Sequence, residues 1–158
     1  MCTVQAPTEP RPQAAVSRKT RIVFAFIAVA SYGVAQAPVP TRSVWDGVFT
    51  ADQAKRGQDR YTAECASCHG SSLSGGESAP PLAGGEFLSN WNGLTVGDLF
   101  ERVRKTMPVG KAGKLSRDVN ADIVAYILGF NEFPAGEKEL ARATEMLQDI
   151  RIEAAKAR

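Results

Sequence analysis

The motif Cys65-Ala-Ser-Cys68-His69 constrains the fold of this 158-residue chain more than any other feature of its sequence. The spacing C-x-x-C-H predicts covalent attachment of haem, because two thiols placed this way can reach the two vinyl groups on one edge of a porphyrin. The histidine directly after the second cysteine then falls under the iron as an axial ligand. The sequence therefore predicts one haem c, bound through Cys65 and Cys68, with His69 on the iron.

The two cysteines allow three other interpretations. A thioredoxin-like redox pair requires a βαβ context, which the surrounding sequence lacks. A structural zinc site needs four Cys or His ligands, and residues 38–158 contain only three. A chance match on a simple disulfide is the third, but an export signal at the start of the chain makes haem attachment feasible.

Residues 1–37 are predicted to be a disordered leader followed by a secretory signal peptide. Basic residues precede an unbroken apolar run, and small residues follow it, which is the order that a signal peptidase requires. Cleavage after Ala35 is favoured, because cleavage after Ala37 would place Pro38 directly after the scissile bond. An uncleaved membrane anchor is the alternative, but the apolar run is far short of the ~20 residues that a spanning helix needs. We expect a periplasmic protein without a stable membrane span after cleavage.

The charge of the chain argues against nucleic acid as a partner. The leader holds four of the 19 Lys and Arg residues and one of the 17 Asp and Glu residues. Removing it leaves 15 positive and 16 negative charges, a net charge of −1. The apparent basicity of the full sequence is therefore a property of the leader, and the mature chain gives no electrostatic reason to bind nucleic acid or a membrane surface.

Met107 is the predicted second iron ligand. His69 is the only histidine in the chain, so a second histidine cannot fill that position. Met107 follows a predicted helix and precedes Pro108, where the chain can turn over the opposite face of the haem. A methionine more often serves as core packing, and Met146 is the other methionine outside the leader. Without Met107, however, the iron would stay open or take a weaker ligand.

Capping signals and apolar stripes predict three principal helices. The first runs to about Glu64, the second has the sequence TVGDLFERVRKT and ends before Pro108, and the third carries a buried stripe. A glycine-rich loop over residues 70–94 would wrap around the haem edge. The predicted caps are Thr50 with Gln53 as a capping box, Thr95 with Asp98, and Ser116, and the stripe of the third helix is Val119, Ile123, Tyr126 and Ile127.

Over residues 50–131 the sequence resembles class I c-type cytochromes. Besides the haem motif and Met107-Pro108, the resemblance is carried by Gly57-x-x-x-Tyr61, Pro80-Pro81-Leu82 and Tyr126. The longer string PPLAGGEFLSNWNGLTVGDLFERVRKTMP is similar to the mono-haem cytochromes and cytochrome domains that accompany quinoprotein alcohol dehydrogenases.

The resemblance implies two further placements, and Trp91 is a further candidate site residue. Gly57 and Tyr126 are expected to meet where the first and third helices cross. The carbonyl of Pro81 is expected to accept the second ring N–H of His69 and so to orient the imidazole. Trp91 would pack on the haem or reach a propionate, although an ordinary core tryptophan is an equal alternative.

Residues 132–158 are predicted to form a helical extension that departs from the compact family pattern. The segment EKELARATEMLQDIRIEA is charged, with a narrow apolar stripe formed by Leu140, Leu147, Ile150 and Ala154. Such a stripe would hold the helix against its own domain or serve as a docking element for a partner. The sequence does not separate the two.

These observations predict a small all-α fold: a linker over 38–49, three principal helices around one covalent haem, and a C-terminal helix. The predicted function is single-electron transfer by Fe(III)/Fe(II) cycling with His69 and Met107 as axial ligands, without catalysis. Redox proteins would be donor and acceptor, with a quinoprotein dehydrogenase as one candidate. The alternatives are an electron-accepting subunit fixed in a dehydrogenase complex and an open-site haem enzyme of peroxidatic type.

Overall fold

The computed structural model describes residues 40–77 and 79–156, and within them the regular secondary structure is almost entirely helical, which confirms the small all-α fold. The helices are α1 (Ala51–Glu64), α2 (Ala66–His69), α3 (Gly84–Trp91), α4 (Val96–Thr106), α5 (Arg117–Phe130) and α6 (Thr144–Leu147). Two short strands, β1 (Arg42–Ser43) and β2 (Ile150–Arg151), pair in parallel. A single 3-10 turn follows β1 at Val44–Asp46.

The crossing of α1 and α5 forms the centre of the fold. Gly57 allows the two backbones to touch, because a Cβ at this position would overlap the carbonyl of Asp122 and lie 2.9 Å from the Cβ of Tyr126. Tyr126 also packs on Tyr61 of α1, with ring centroids 5.3 Å apart. The predicted meeting of Gly57 and Tyr126 is thus confirmed.

Helix α4 begins and ends where the sequence predicts. Thr95 and Asp98 form a reciprocal capping box, in which each side chain accepts a hydrogen bond from the other residue's backbone N–H. Val96, Leu99 and Phe100 are buried on one face. On the polar side, hydrogen bonds from Arg104, Thr144 and Lys105 hold the pKa of the Glu101 carboxyl well below its ordinary value. The helix ends at Thr106.

The region predicted as a continuous loop over 70–94 contains α3, which the sequence analysis missed. The residue before this helix, Ala83, has no side chain that can cap it. The first backbone amide of α3, that of Gly84, instead donates to the side-chain oxygen of Asn131 at 3.0 Å. Because Asn131 lies at the end of α5, this cap depends on a residue 47 positions away and has no local signal.

The capping box predicted at the start of α1 is only half formed. The Thr50 side chain accepts from the Gln53 amide as expected. The Gln53 side chain, however, turns into the core, where its amide group donates to the Leu140 carbonyl at 3.1 Å and accepts from the Leu140 N–H at 2.6 Å. Gln53 is 2% exposed, so its buried side chain holds the C-terminal segment in place instead of completing the helix cap.

Replacing Gln53 with leucine should destabilise the protein by about 2–4 kcal/mol, since the Leu140 N–H and C=O would both lose a buried partner. Urea unfolding followed at the haem band would measure the loss. Thr50→Ala is the control: it removes the cap alone and should cost about 1 kcal/mol. Equal losses of stability in the two variants would show that Gln53 does not hold the C-terminal segment in place.

The prediction of a long C-terminal helix is wrong. Residues 137–156 form only the four-residue α6 and then an extended segment that includes β2. Of the predicted stripe, Ala154 is exposed. Leu140, Leu147 and Ile150 are still buried, at 3%, 0% and 2% exposure, and Ile152 is fully buried as well. They pack in the core of their own domain, as in the first of the two alternatives. We call residues 140–154 the C-terminal strap.

The residues predicted as a linker also pack into this core. Val44, Val48 and Phe49 are buried, and the indole N–H of Trp45 donates to the Glu153 carbonyl at 2.9 Å. Arg42 is the register partner of Ile150 in the parallel ladder. The first and last parts of the described chain are therefore fastened to each other.

The predicted leader and signal peptide, residues 1–37, lie outside the described residues. Among the residues that the structure describes, no helix combines the length and the apolar character needed to cross a membrane.

Candidate haem site

One helical turn brings the three residues of the haem motif to the same side of the chain. Cys65 separates α1 from α2, and the amides of Cys68 and His69 both donate to its carbonyl, at 3.1 and 3.0 Å. Residues three and four positions apart are neighbours on a helix surface. The spacing of the motif therefore places two thiols and one imidazole side by side.

The end of this turn is fixed by Tyr61. Its hydroxyl donates to the Gly70 carbonyl at 2.7 Å, and its side chain is 1% exposed. Burial raises the pKa of this tyrosine to about 12, so the hydroxyl keeps its proton for the hydrogen bond. Helix α1 thereby holds the haem motif through a side chain one turn before it.

His69 is nearly buried, at 7% exposure, and its tautomer is set by the backbone. Its Nδ1 lies 2.9 Å from the Pro80 carbonyl oxygen. A carbonyl can only accept, so Nδ1 carries the proton and Nε2 keeps a free lone pair that can bind a metal. The acceptor is Pro80 rather than the predicted Pro81.

All six predicted site residues line one cavity of about 720 Å³. Two of them, Cys65 and Cys68, are free thiols, the first half-buried and the second exposed. The other four are His69, Pro81, Trp91 and Met107. Much of the remaining wall is apolar, formed by Leu82, Leu94, Leu99, Val103, Ile123 and Ile127.

Met107 reaches the cavity because α4 stops there. It is the C-cap residue of α4, with an extended backbone, and its N–H donates to the Val103 carbonyl at 2.9 Å. Pro108, which also lines the cavity, cannot continue the helix. Met146, by contrast, is 62% exposed and lies outside the cavity wall.

The Cys65 thiol does not have the character of a reactive cysteine. Burial, followed by the charges of Glu64 and Cys68, raises the pKa of the Cys65 thiol to about 11. Reactive cysteines in C-x-x-C motifs instead have lowered pKa values. Among the described residues there is also no group of three or more His, Cys, Asp or Glu side chains arranged to hold a metal ion.

The cavity suits a haem in three independent respects. Its volume lies in the range of ~300–1,000 Å³ typical of ligand sites. Its walls are largely apolar, as a porphyrin ring requires. Two thiols and one oriented imidazole lie on the same wall, which is the donor set for covalent attachment and axial ligation.

Several residues that shape this cavity have no clear signal in the sequence. Leu94 and Arg102 line it but belong to no motif. Asn131 donates to the Leu82 carbonyl at 2.9 Å and thereby holds a wall residue from the end of α5. The only local sign of Asn131 is that asparagine is common at helix C-termini.

Comparison with known proteins gives one family match, one sequence relative and one solved structure. Residues 52–127 match the family model described as cytochrome c oxidase, cbb3-type, subunit III. A cytochrome bc1 complex cytochrome c subunit from Corynebacterium diphtheriae is 35% identical over 95 residues, covering 57% of this chain. The chain spans only 31% of the length of that relative. The crystal structure of the sulfane dehydrogenase SoxCD from Paracoccus pantotrophus aligns with a TM-score of 0.41 and 27% identity, covering 65% of this chain and 60% of that one.

The motif, the cavity and the matched sequences together identify the chain as a class I c-type cytochrome. It therefore binds haem c covalently, as the sequence predicts.

Proposed function

We propose that this protein is an exported electron carrier with one haem, in which His69 and Met107 are the axial ligands of the iron. The observation that carries the proposal is that Met107 lines the same cavity as Cys65, Cys68 and His69. Bound haem supplies the redox chemistry, because its iron takes up and gives back one electron. The predicted signal peptide supports export to the periplasm.

The residues of the chain hold the site in a fixed shape. The Pro80 carbonyl orients the imidazole of His69, and the hydrogen bond from the Met107 N–H to Val103 fixes the start of the turn that follows α4. The apolar side chains of Leu99 and Val103 line the cavity. A site that changes little between two oxidation states favours rapid electron transfer over substrate binding.

Redox partners would approach the open rim of the cavity. Val109 is 82% exposed and Leu94 is 44% exposed, and both line the cavity. Exposed apolar side chains beside charged residues are typical of a surface for reversible protein contacts. A quinoprotein dehydrogenase is one candidate donor, on the resemblance of residues 80–108 to the cytochromes of such enzymes.

A fixed subunit of a larger redox complex is the second candidate function. It is favoured by the relative from Corynebacterium diphtheriae, which is named as a cytochrome c subunit of a bc1 complex. A fixed subunit and a free carrier would use the same haem site, so co-purification of the native protein with its partners distinguishes them.

Replacing Met107 with alanine tests the ligand assignment. The ferric protein should lose the weak red charge-transfer band that sulfur ligation gives. Its reduction potential should fall by at least about 60 mV, because thioether ligation favours the ferrous state and ~59 mV corresponds to a tenfold change. The ferrous variant should also gain rapid carbon monoxide binding. Absorption spectroscopy, a redox titration and stopped-flow mixing measure the three effects.

Met146→Ala is the matched control, since Met146 is exposed and outside the cavity. It should leave the band, the potential and the carbon monoxide rate unchanged. Rapid carbon monoxide binding by the wild-type protein would instead favour the open-site enzyme of peroxidatic type and overturn the carrier proposal.

A further inference from the structure

One wall of the haem cavity lies between the cavity and the C-terminal strap. Trp91 at the end of α3 and Leu94 just after it both belong to this wall, and α4 contributes the residues that follow. We call residues 91–94 the Trp91–Leu94 turn. The strap packs along the other side of the same turn and helix. The α4 residues of this wall are Asp98, Leu99, Arg102 and Val103.

Backbone hydrogen bonds join the strap to the turn. The Gly93 N–H donates to the Ile152 carbonyl and the Ile152 N–H donates to the Leu94 carbonyl, both at 2.8 Å. The Ala154 N–H donates to the Asn92 side-chain oxygen at 2.9 Å. The remaining backbone bonds of Asn92 and Leu94 are local, to Leu88 and Trp91, so the strap supplies the contacts that tie the turn to distant parts of the domain.

Side chains join the strap to α4 in the same way. Gln148 accepts from the Thr95 hydroxyl at 2.7 Å and crosses α4 at Gly97, where a Cβ would lie 2.8 Å from its Cδ. Thr144 donates to a Glu101 carboxylate oxygen at 2.6 Å. These contacts hold the first half of the helix that ends at Met107.

The strap is in turn held by the beginning of the domain. The Ser43 hydroxyl donates to a Glu153 carboxylate oxygen at 2.6 Å, and the Trp45 indole donates to the Glu153 carbonyl. The Asp149 carboxylate accepts from the Thr41 backbone at 2.9 Å. Hydrogen bonds therefore hold the strap on both of its sides, to the beginning of the domain and to the cavity wall. The strap thus links the position of the wall to that of the core.

We propose that the C-terminal strap is a positioning element for the haem site: it presses the Trp91–Leu94 turn and α4 against the cavity, keeps water out on this side, and holds Met107 in place. The inference rests on the proposed ligation by His69 and Met107. Ile152 is its central residue, because it is fully buried and makes both backbone bonds to the turn.

The test compares Ile152→Ala and Ile152→Val with Leu128→Ala in the haem-loaded protein. Leu128 is as deeply buried as Ile152 but does not line the cavity and lies in α5. If the strap positions the wall, Ile152→Ala should speed carbon monoxide binding to the ferrous protein at least tenfold and lower the reduction potential. Ile152→Val should restore both properties. Leu128→Ala should lower the melting temperature without either change.

Equal carbon monoxide rates and potentials in Ile152→Ala and Leu128→Ala would overturn the proposal, because the strap would then contribute only stability. If Ile152→Ala fails to retain a native fold, Asn92→Ala decides instead, since Asn92 is exposed and its loss removes only the bond to the strap. In Asn92→Ala, faster amide exchange at Gly93 together with faster carbon monoxide binding supports the proposal, and an unchanged rate of carbon monoxide binding overturns it. Rapid carbon monoxide binding by the wild type is a separate result, which would contradict the ligand assignment.

Discussion

Replacing Cys65 and Cys68 together with serine is expected to leave a chain that neither retains haem nor folds. Without haem, the apolar side chains that line the cavity of about 720 Å³ would face water, and their burial against the porphyrin would no longer stabilise the fold. Extraction into acidified organic solvent should leave haem on the wild-type polypeptide and none on the variant, and circular dichroism should show the loss of helix.

Ser67→Ala is the control for this experiment. Ser67 lies between the two cysteines and is exposed, so its replacement changes the motif without removing a thiol. The variant should retain covalent haem and its full helix content. Release of haem from the wild-type protein during extraction would contradict covalent attachment, and a well-folded double serine variant would show that haem is not the main part of the core.

Replacing Gly57 with alanine is expected to destabilise the protein by about 3 kcal/mol or more. The added Cβ would overlap the Asp122 carbonyl, so α1 and α5 would have to move apart along their crossing. Alanine is otherwise the better helix former by about 1 kcal/mol, and helix propensity alone would therefore predict a gain. Guanidinium unfolding of the haem-loaded variant measures the sign as well as the size of the effect.

Gly129→Ala provides the matched comparison. Gly129 is also a helical glycine, in α5, but its Cβ would lie 3.4 Å from the Phe49 ring, an ordinary contact. This variant should remain within about 1 kcal/mol of the wild type. A similar loss at both glycines would mean that the close approach at Gly57 is not the cause.

The sequence predicts the parts of this molecule whose chemistry is local. The turn that unites Cys65, Cys68 and His69 depends on residues within five positions, and the capping box of α4 depends on Thr95 and Asp98 alone. Each can be inferred without knowledge of the rest of the chain. The same holds for the end of α4 before Pro108, which brings Met107 to the cavity wall.

The prediction failed where distant residues decide the local structure. Helix α3 is capped by Asn131 from the end of α5, so its own sequence carries no start signal. In the C-terminal strap, the spacing of Leu140, Leu147 and Ile150 matches a helical period. However, the backbone of Ile150 pairs with Arg42, and Ile152 pairs with the turn at Leu94. Tertiary pairing thus overrode local propensity.

The pairing of β1 with β2 sets an order of assembly. In the exported protein proposed above, the N-terminal part of the domain crosses the membrane first, and Arg42 must wait for Ile150, 108 positions later, before the ladder can form. The haem motif at residues 65–69 is complete long before that point. Contacts between such distant residues form late because loop closure is entropically costly. We therefore expect the nascent domain to remain open at the Trp91–Leu94 edge while haem is inserted, and to close only when its last residues arrive.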